Sequence, residues 1–159
     1  MLQGVGLTPN PQPLTPNPLA LIESAPAIRA LLERTKRIAV LGIKTADAYP
    51  PAFYVPEYTQ QAGYRIIPVP VYFPDVKEIL GEPVYRTLAQ IPEPVDMVNV
   101  FRRPQDIPAH VDDILAARPK SVWFQLGIRH DEVADRLVRE GIDVVQDRCL
   151  LVELKRIGR

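Results

Sequence analysis

The sequence predicts one α/β domain of three αβα layers, built on a doubly wound parallel sheet. Continuous apolar runs such as Ile38–Leu41 (IAVL) and Ser121–Leu126 (SVWFQL) have the character of strands buried on both faces. They alternate with segments of helical period, the pattern of parallel strands joined by right-handed crossovers. The stretch Ile38–Pro51, IAVLGIKTADAYPP, adds a third sign. It reads as strand, glycine turn at Gly42 and polar loop, followed by a helical pattern from about Phe53 to Ala62 that Gly63 closes. Units of this kind open nucleotide-binding domains, where backbone N–H groups of the turn and the helix N-terminus receive phosphates. Only Gly42 of a G-x-G-x-x-G fingerprint is present, so an ordinary crossover with a glycine turn stands as the alternative.

Residues 1–18 contain LTPNP twice, at Leu7–Pro11 and Leu14–Pro18. Proline recurs there too closely for helix or central strand, so the segment reads as an extended tail, dispensable for folding, ahead of a domain over 19–159. Ser24 then caps a helix that runs to about Arg34, with Ile28, Leu31 and Leu32 on one face. After the central unit come a second strand at Tyr64–Val69, a very short third at Val84-Tyr85 and a fourth at Val95–Phe101. Gln105–Ala117 has helical spacing, Ser121–Leu126 is the fifth strand, and Asp131–Glu140 a helix closed by Gly141. Ile142–Val145 forms the sixth strand, and a short helix from about Leu150 to Arg156 ends the chain.

At 159 residues the chain has the size of one self-supporting domain. Nineteen basic and nineteen acidic residues cancel, which removes any global attraction for nucleic acid or an anionic membrane; an anionic ligand needs a local site. One cysteine, Cys149, excludes an intrachain disulfide and a thiolate zinc cluster. No apolar run is long enough for a membrane span, and no basic residue precedes Arg29, so a cytoplasmic protein without a secretory signal is expected. The 18 prolines and the excess of arginine over lysine suit a thermostable protein or a GC-rich genome.

With strand order 3-2-1-4-5-6, the topological switch point falls between the first and fourth strands. A ligand crevice is then flanked by Gly42–Pro51 and Phe101–Pro104. Arg102 and Arg103, at the end of a central strand, have the fork geometry that holds phosphate oxygens, and Phe101 or Pro104 could pack on an adenine ring. The alternative is that both arginines are surface charges paired with Asp106. Lys44 is a further phosphate ligand by position, Thr45 and Asp47 read as turn formers, and Gly127 either admits a ligand or supplies a left-handed turn. His110 and His130 fit no metal or triad spacing and read as surface residues. No nucleophile elbow, paired acids or H-E-x-x-H motif occurs, so no catalytic residue and no metal site is assigned.

The stretches IAVLGIKTADAYPP, GYRIIPVPV, VDMVNVFRRP, VWFQLGI and DRCLLVE carry a resemblance. From about Ile38 to Arg156 the chain resembles the stand-alone CoA-binding domain proteins, a family similar to the Rossmann-like domain of the succinyl-CoA synthetase α subunit. The resemblance implies coenzyme A, or an acyl-CoA, lying across the strand C-termini. Its phosphates would contact Gly42, Ile43, Lys44, Thr45 and Pro51. Its adenosine half would lie near Pro70, Val71 and Phe101 to Pro104, and Gln125, Gly127 and Ile128 would meet the remainder. Ala52 stands where relatives often carry a small hydroxyl residue. Pro70-Val71-Tyr72 replaces a lysine of the synthetases, for which Lys77 is the nearest substitute. The synthetase's phosphohistidine domain and ATP-grasp partner have no counterpart in these residues, so ligase activity is not implied.

A small CoA-binding module without turnover of its own is therefore expected. An NAD(P)-binding enzyme domain is the rival, but the acid it needs after the second strand is late: Asp75 comes 33 residues after Gly42. A regulatory subunit whose unknown protein partner supplies catalysis is the third possibility.

Overall fold

A computed structural model of the chain describes residues 21–159, and the proline-rich segment lies outside them. Helix α1 (Ala25–Arg34) starts where the Ser24 hydroxyl accepts the Ala27 N–H at 3.3 Å, with proline in the first turn. Its buried stripe is Ile28, Leu31 and Leu32. Strand β1 (Arg37–Leu41) follows, anchored by the Asp96 carboxylate, which accepts the Lys36 N–H at 3.0 Å and the Arg37 N–H at 2.8 Å. Helix α2 (Pro51–Gln61) and strand β2 (Arg65–Val69) complete the first crossover.

Two-residue strands β3 (Glu78–Ile79) and β4 (Glu82–Pro83) then form a separate antiparallel hairpin. Leu80 and Gly81 between them have φ of 57° and 76°, the left-handed pair of a tight hairpin turn. The remaining strands are β5 (Met97–Val100), β6 (Ser121–Phe124) and β7 (Asp143–Val145). The main sheet has the order β2-β1-β5-β6-β7, parallel at every pairing. Chain direction across the sheet reverses between β1 and β5, so the switch point lies where the sequence put it.

The expected third strand is absent from this sheet. Val84 and Tyr85 instead close the hairpin: the Val84 N–H donates to the Lys77 carbonyl at 3.0 Å, and the Tyr85 N–H to the Pro68 carbonyl at 3.0 Å. Two residues next to Pro83 are too few to build a ladder, although their side chains favour strands. On the other edge, Leu21 bridges Val144 in parallel and the Ile22 N–H donates to the Val144 carbonyl at 2.8 Å.

The helix expected over Gln105–Ala117 is also divided. A 3-10 segment covers Pro104–His110, and helix α3 is confined to Val111–Ala117. Pro108 offers no N–H and its ring crowds the carbonyl four residues back, so a regular helix begins only beyond it. Helix α4 (Asp131–Arg139) is capped by His130, whose Nδ1 accepts the Val133 N–H at 3.2 Å, and α5 (Leu150–Arg156) follows β7. Valines and leucines of α3 and α4 pack on one face of the sheet. Residues of α1, α2 and α5 cover the other, around the fully buried Trp123. This is the three-layer αβα arrangement.

Candidate functional site

The C-terminal ends of β1, β5 and β6 open into a crevice of about 370 Å3. Its walls come from three loops. Lys44, Pro50, Pro51 and Ala52 stand on one side, Phe101, Arg102, Arg103 and Pro104 on the other, with Gly127 and Ile128 at the end of β6. Eight of the fourteen residues singled out from the sequence line it: Lys44, Pro51, Phe101, Arg102, Arg103, Pro104, Gly127 and Ile128.

The other six lie elsewhere. Gly42 is buried beneath the crevice: its N–H donates to the Val69 carbonyl at 2.9 Å and its φ is 89°. A Cβ there would meet the Phe101 carbonyl oxygen at 2.3 Å, so the glycine is required by the approach of β5. Ile43 is fully buried in the core. The Thr45 hydroxyl donates to Asp47 at 3.2 Å, the turn role expected of it. Gln125 is 4% exposed, and its Oε1 accepts the Leu150 N–H at 3.4 Å, tying β6 to α5. Pro70 is buried and Val71 exposed on the loop after β2. Among the eight that line the crevice, Gly127 has φ of 82° with open space around its α-carbon, and its N–H donates to Asp147 Oδ1 at 2.6 Å.

Helix α2 presents its N-terminus to the crevice without a capping side chain: Pro50 occupies the cap and Pro51 the first turn. The preceding loop folds back, with the Lys44 N–H on the Ala52 carbonyl at 3.1 Å. Ala48 and Tyr49 in this loop both have positive φ, 60° and 45°. The Tyr49 ring rests against Phe53 and Tyr54 of α2, and its hydroxyl meets Glu57, so side-chain contacts hold the turn in shape.

Opposite, Arg102 is built into the wall. Its Nε donates to His110 Nε2 at 3.2 Å, an Nη points at the Tyr72 hydroxyl at 3.5 Å, and the guanidinium lies 5.6 Å from the Tyr72 ring centre. Asp106 pairs with both arginines, at 2.9 Å from Arg103 Nε and 3.6 Å from Arg102 Nη2. The pairing that was the alternative reading is therefore present, and it occurs on the crevice wall itself. The Arg103 hydrogen bond holds the Asp106 carboxyl below its ordinary range. Burial, and then the charge of Arg102, holds His110 below the ordinary histidine value, and its acceptor role requires the neutral imidazole. Arg102 in turn lowers the Tyr72 phenol. His110 is thus half-buried and engaged, against the expectation of a surface residue. Sequence spacing offered no sign of this. His110 and Tyr72 reach Arg102 from separate loops, and only the fold joins them.

An apolar crevice therefore stands at the switch point of a parallel sheet, rimmed by Lys44, Arg102 and Arg103 beside a helix N-terminus, the place where doubly wound α/β domains as a class hold their ligands. The family model described as CoA binding domain matches residues 36–155, and the chain belongs to this family. YneT of Bacillus subtilis is 35% identical over 125 residues, covering 79% of this chain and 90% of YneT. A solved Thermus thermophilus protein is 43% identical with a TM-score of 0.78, covering 85% of this chain and 99% of that one. A Pyrococcus horikoshii protein is 28% identical with a TM-score of 0.76, covering 84% and 92%. A dinucleotide-forming acetyl-coenzyme A synthetase of Ca. Korarchaeum cryptofilum shares the fold, at 18% identity and a TM-score of 0.58, with 69% of this chain matching 25% of that one. Membership of this family supports CoA as the ligand class. Among the described residues there is no group of histidines, cysteines and acids suited to a metal ion, and no helix long and apolar enough to cross a membrane.

Proposed function

We propose that this protein binds coenzyme A, or an acyl-CoA, in the crevice between β1 and β5 and carries out no chemistry on it. The observation that carries the reading is the convergence of Lys44, Arg102 and Arg103 on a crevice beside the uncapped N-terminus of α2, in a chain of the CoA-binding family. A helix N-terminus and two neighbouring guanidinium groups favour phosphate, and the flat apolar surfaces of Phe101, Pro104 and Ile128 favour the adenosine and pantetheine parts. Recognition would then follow the phosphates more than the thiol end.

Calorimetric titration of CoA, acetyl-CoA, dephospho-CoA, NAD and NADP tests this. CoA and acetyl-CoA should bind alike. Dephospho-CoA should bind about tenfold to a hundredfold more weakly, the effect of ~1.5–3 kcal/mol for one lost charged hydrogen bond. Arg103→Ala is the cleaner variant for removing that preference, because its side chain is 71% exposed while that of Arg102 is 14% exposed. Tight NAD binding without CoA heat would sink the reading. Equal affinity for CoA and dephospho-CoA would remove the 3′-phosphate from it.

A further inference from the structure

The two arginines of the crevice wall share one carboxylate but are held very differently. Arg102 is fixed by His110 and Tyr72 and is 14% exposed; Arg103 reaches outward at 71% exposure, with its Nε on Asp106 Oδ2 at 2.9 Å. The same Oδ2 stands 3.6 Å from Arg102 Nη2. Asp106 therefore occupies the Nε donor of Arg103, part of the edge through which a guanidinium grips an oxyanion. The backbone keeps it there. Pro104 and Pro108 restrict the 3-10 segment, and the Asp106 N–H donates to the Arg103 carbonyl at 2.9 Å.

We infer that Asp106 is an internal counter-ion that sets the crevice's affinity for anions, because a bound phosphate must take Arg103 from it. The inference rests on the crevice being the anion site proposed above. Lys44, Arg102 and Arg103 against Asp106 leave a formal net of two positive charges on the walls, a match for a doubly charged phosphate group such as the one assigned to Arg103 above. Arg102 stays in place during the exchange, since its other partners do not depend on Asp106. Arg103 is the arm that moves. Asp106 lowers affinity twice, by competing for Arg103 and by repelling the incoming charge.

Neutralising it should therefore strengthen binding. Asp106→Asn keeps the size and an acceptor oxygen but removes the charge. Affinity for inorganic pyrophosphate and for CoA should rise about threefold to tenfold at low salt, a modest gain because the group is partly exposed, and the gain should fade as salt is added. In an Arg103→Ala background the same change should give about twofold or less, since the competition has gone. Both ligands are titrated into the parent, Asp106→Asn, Arg103→Ala and the double variant, each first shown to be folded by circular dichroism. Equal or weaker pyrophosphate binding by Asp106→Asn overturns the inference, as does an undiminished gain without Arg103. Tighter pyrophosphate binding with no CoA binding keeps the counter-ion and removes the CoA reading. CoA binding that is equal in parent and variant does the reverse, and no binding of either ligand to any of the four overturns both.

Discussion

Gly42 is the residue on which the site's geometry most depends, and an added methyl group there has nowhere to go. Its φ is 89°, and a Cβ would stand 2.3 Å from the Phe101 carbonyl oxygen and 3.3 Å from Arg102 Cδ. The oxygen belongs to backbone that is itself tied down, the Phe101 N–H donating to the Leu41 carbonyl at 2.8 Å. Gly42→Ala should cost about 2–5 kcal/mol, combining left-handed strain with overpacking, as read by urea unfolding. A loss below ~0.5 kcal/mol would mean that the strand ends separate freely. The glycine was legible in the sequence, but its reason was not. An apolar run followed by glycine suggests a phosphate turn, whereas here the N–H is spent on β2 and the missing side chain admits β5. Arg102 and Arg103 were legible because a buried strand must end where charge begins. Tyr72 and His110 carried no periodic relation to them, so their gathering on Arg102 had to be seen.

At the scale of the elements, Asp96 ties the start of β5 to both of its neighbours in the sheet. Its carboxylate takes the N–H groups of Lys36 and Arg37 at the start of β1. Its carbonyl accepts from the N–H groups of Lys120 and Ser121, at 3.1 and 3.0 Å, as β6 begins. One residue before β5 thus ties both neighbouring strands. Asp96→Ala should destabilise by about 2–4 kcal/mol, since two strand N–H groups lose a charged acceptor in a site 8% exposed. Asp96→Asn, which keeps one acceptor oxygen, should lose less than half as much in the same denaturation series. The strands and long helices were legible because they answer to period and to Gly, Pro and Ser punctuation. The failures fell on short elements. Val84-Tyr85 has strand-favouring side chains but no length, and Gln105–Ala117 has helical spacing with a proline that spacing ignores.

For the molecule as a whole, His110 links stability to pH. It is held below the ordinary histidine value of 6.5 by burial, first, and by the charge of Arg102, while Asp113 and Asp106 pull the other way. The unfolded chain therefore binds its proton at a higher pH than the folded one. The stability contributed is complete above 6.5 and is lost as pH falls through the lower, folded value. Urea midpoints should accordingly fall on acidification within that window, and His110→Gln should flatten the dependence. The single tryptophan, Trp123, fully buried in β6, reports the unfolding. An unchanged slope in His110→Gln would assign the dependence to other groups. The two margins of the sheet have a different consequence, for behaviour in crowded solution. An open strand edge is a template on which another chain can pair. Here Tyr85 sits on the Pro68 carbonyl of β2, Pro68 itself brings no N–H to that margin, and Leu21-Ile22 lies along β7. The hairpin that displaced the expected third strand thus acts as a stop. Another chain pairing at either margin would have to displace Tyr85 from Pro68 or Leu21-Ile22 from Val144.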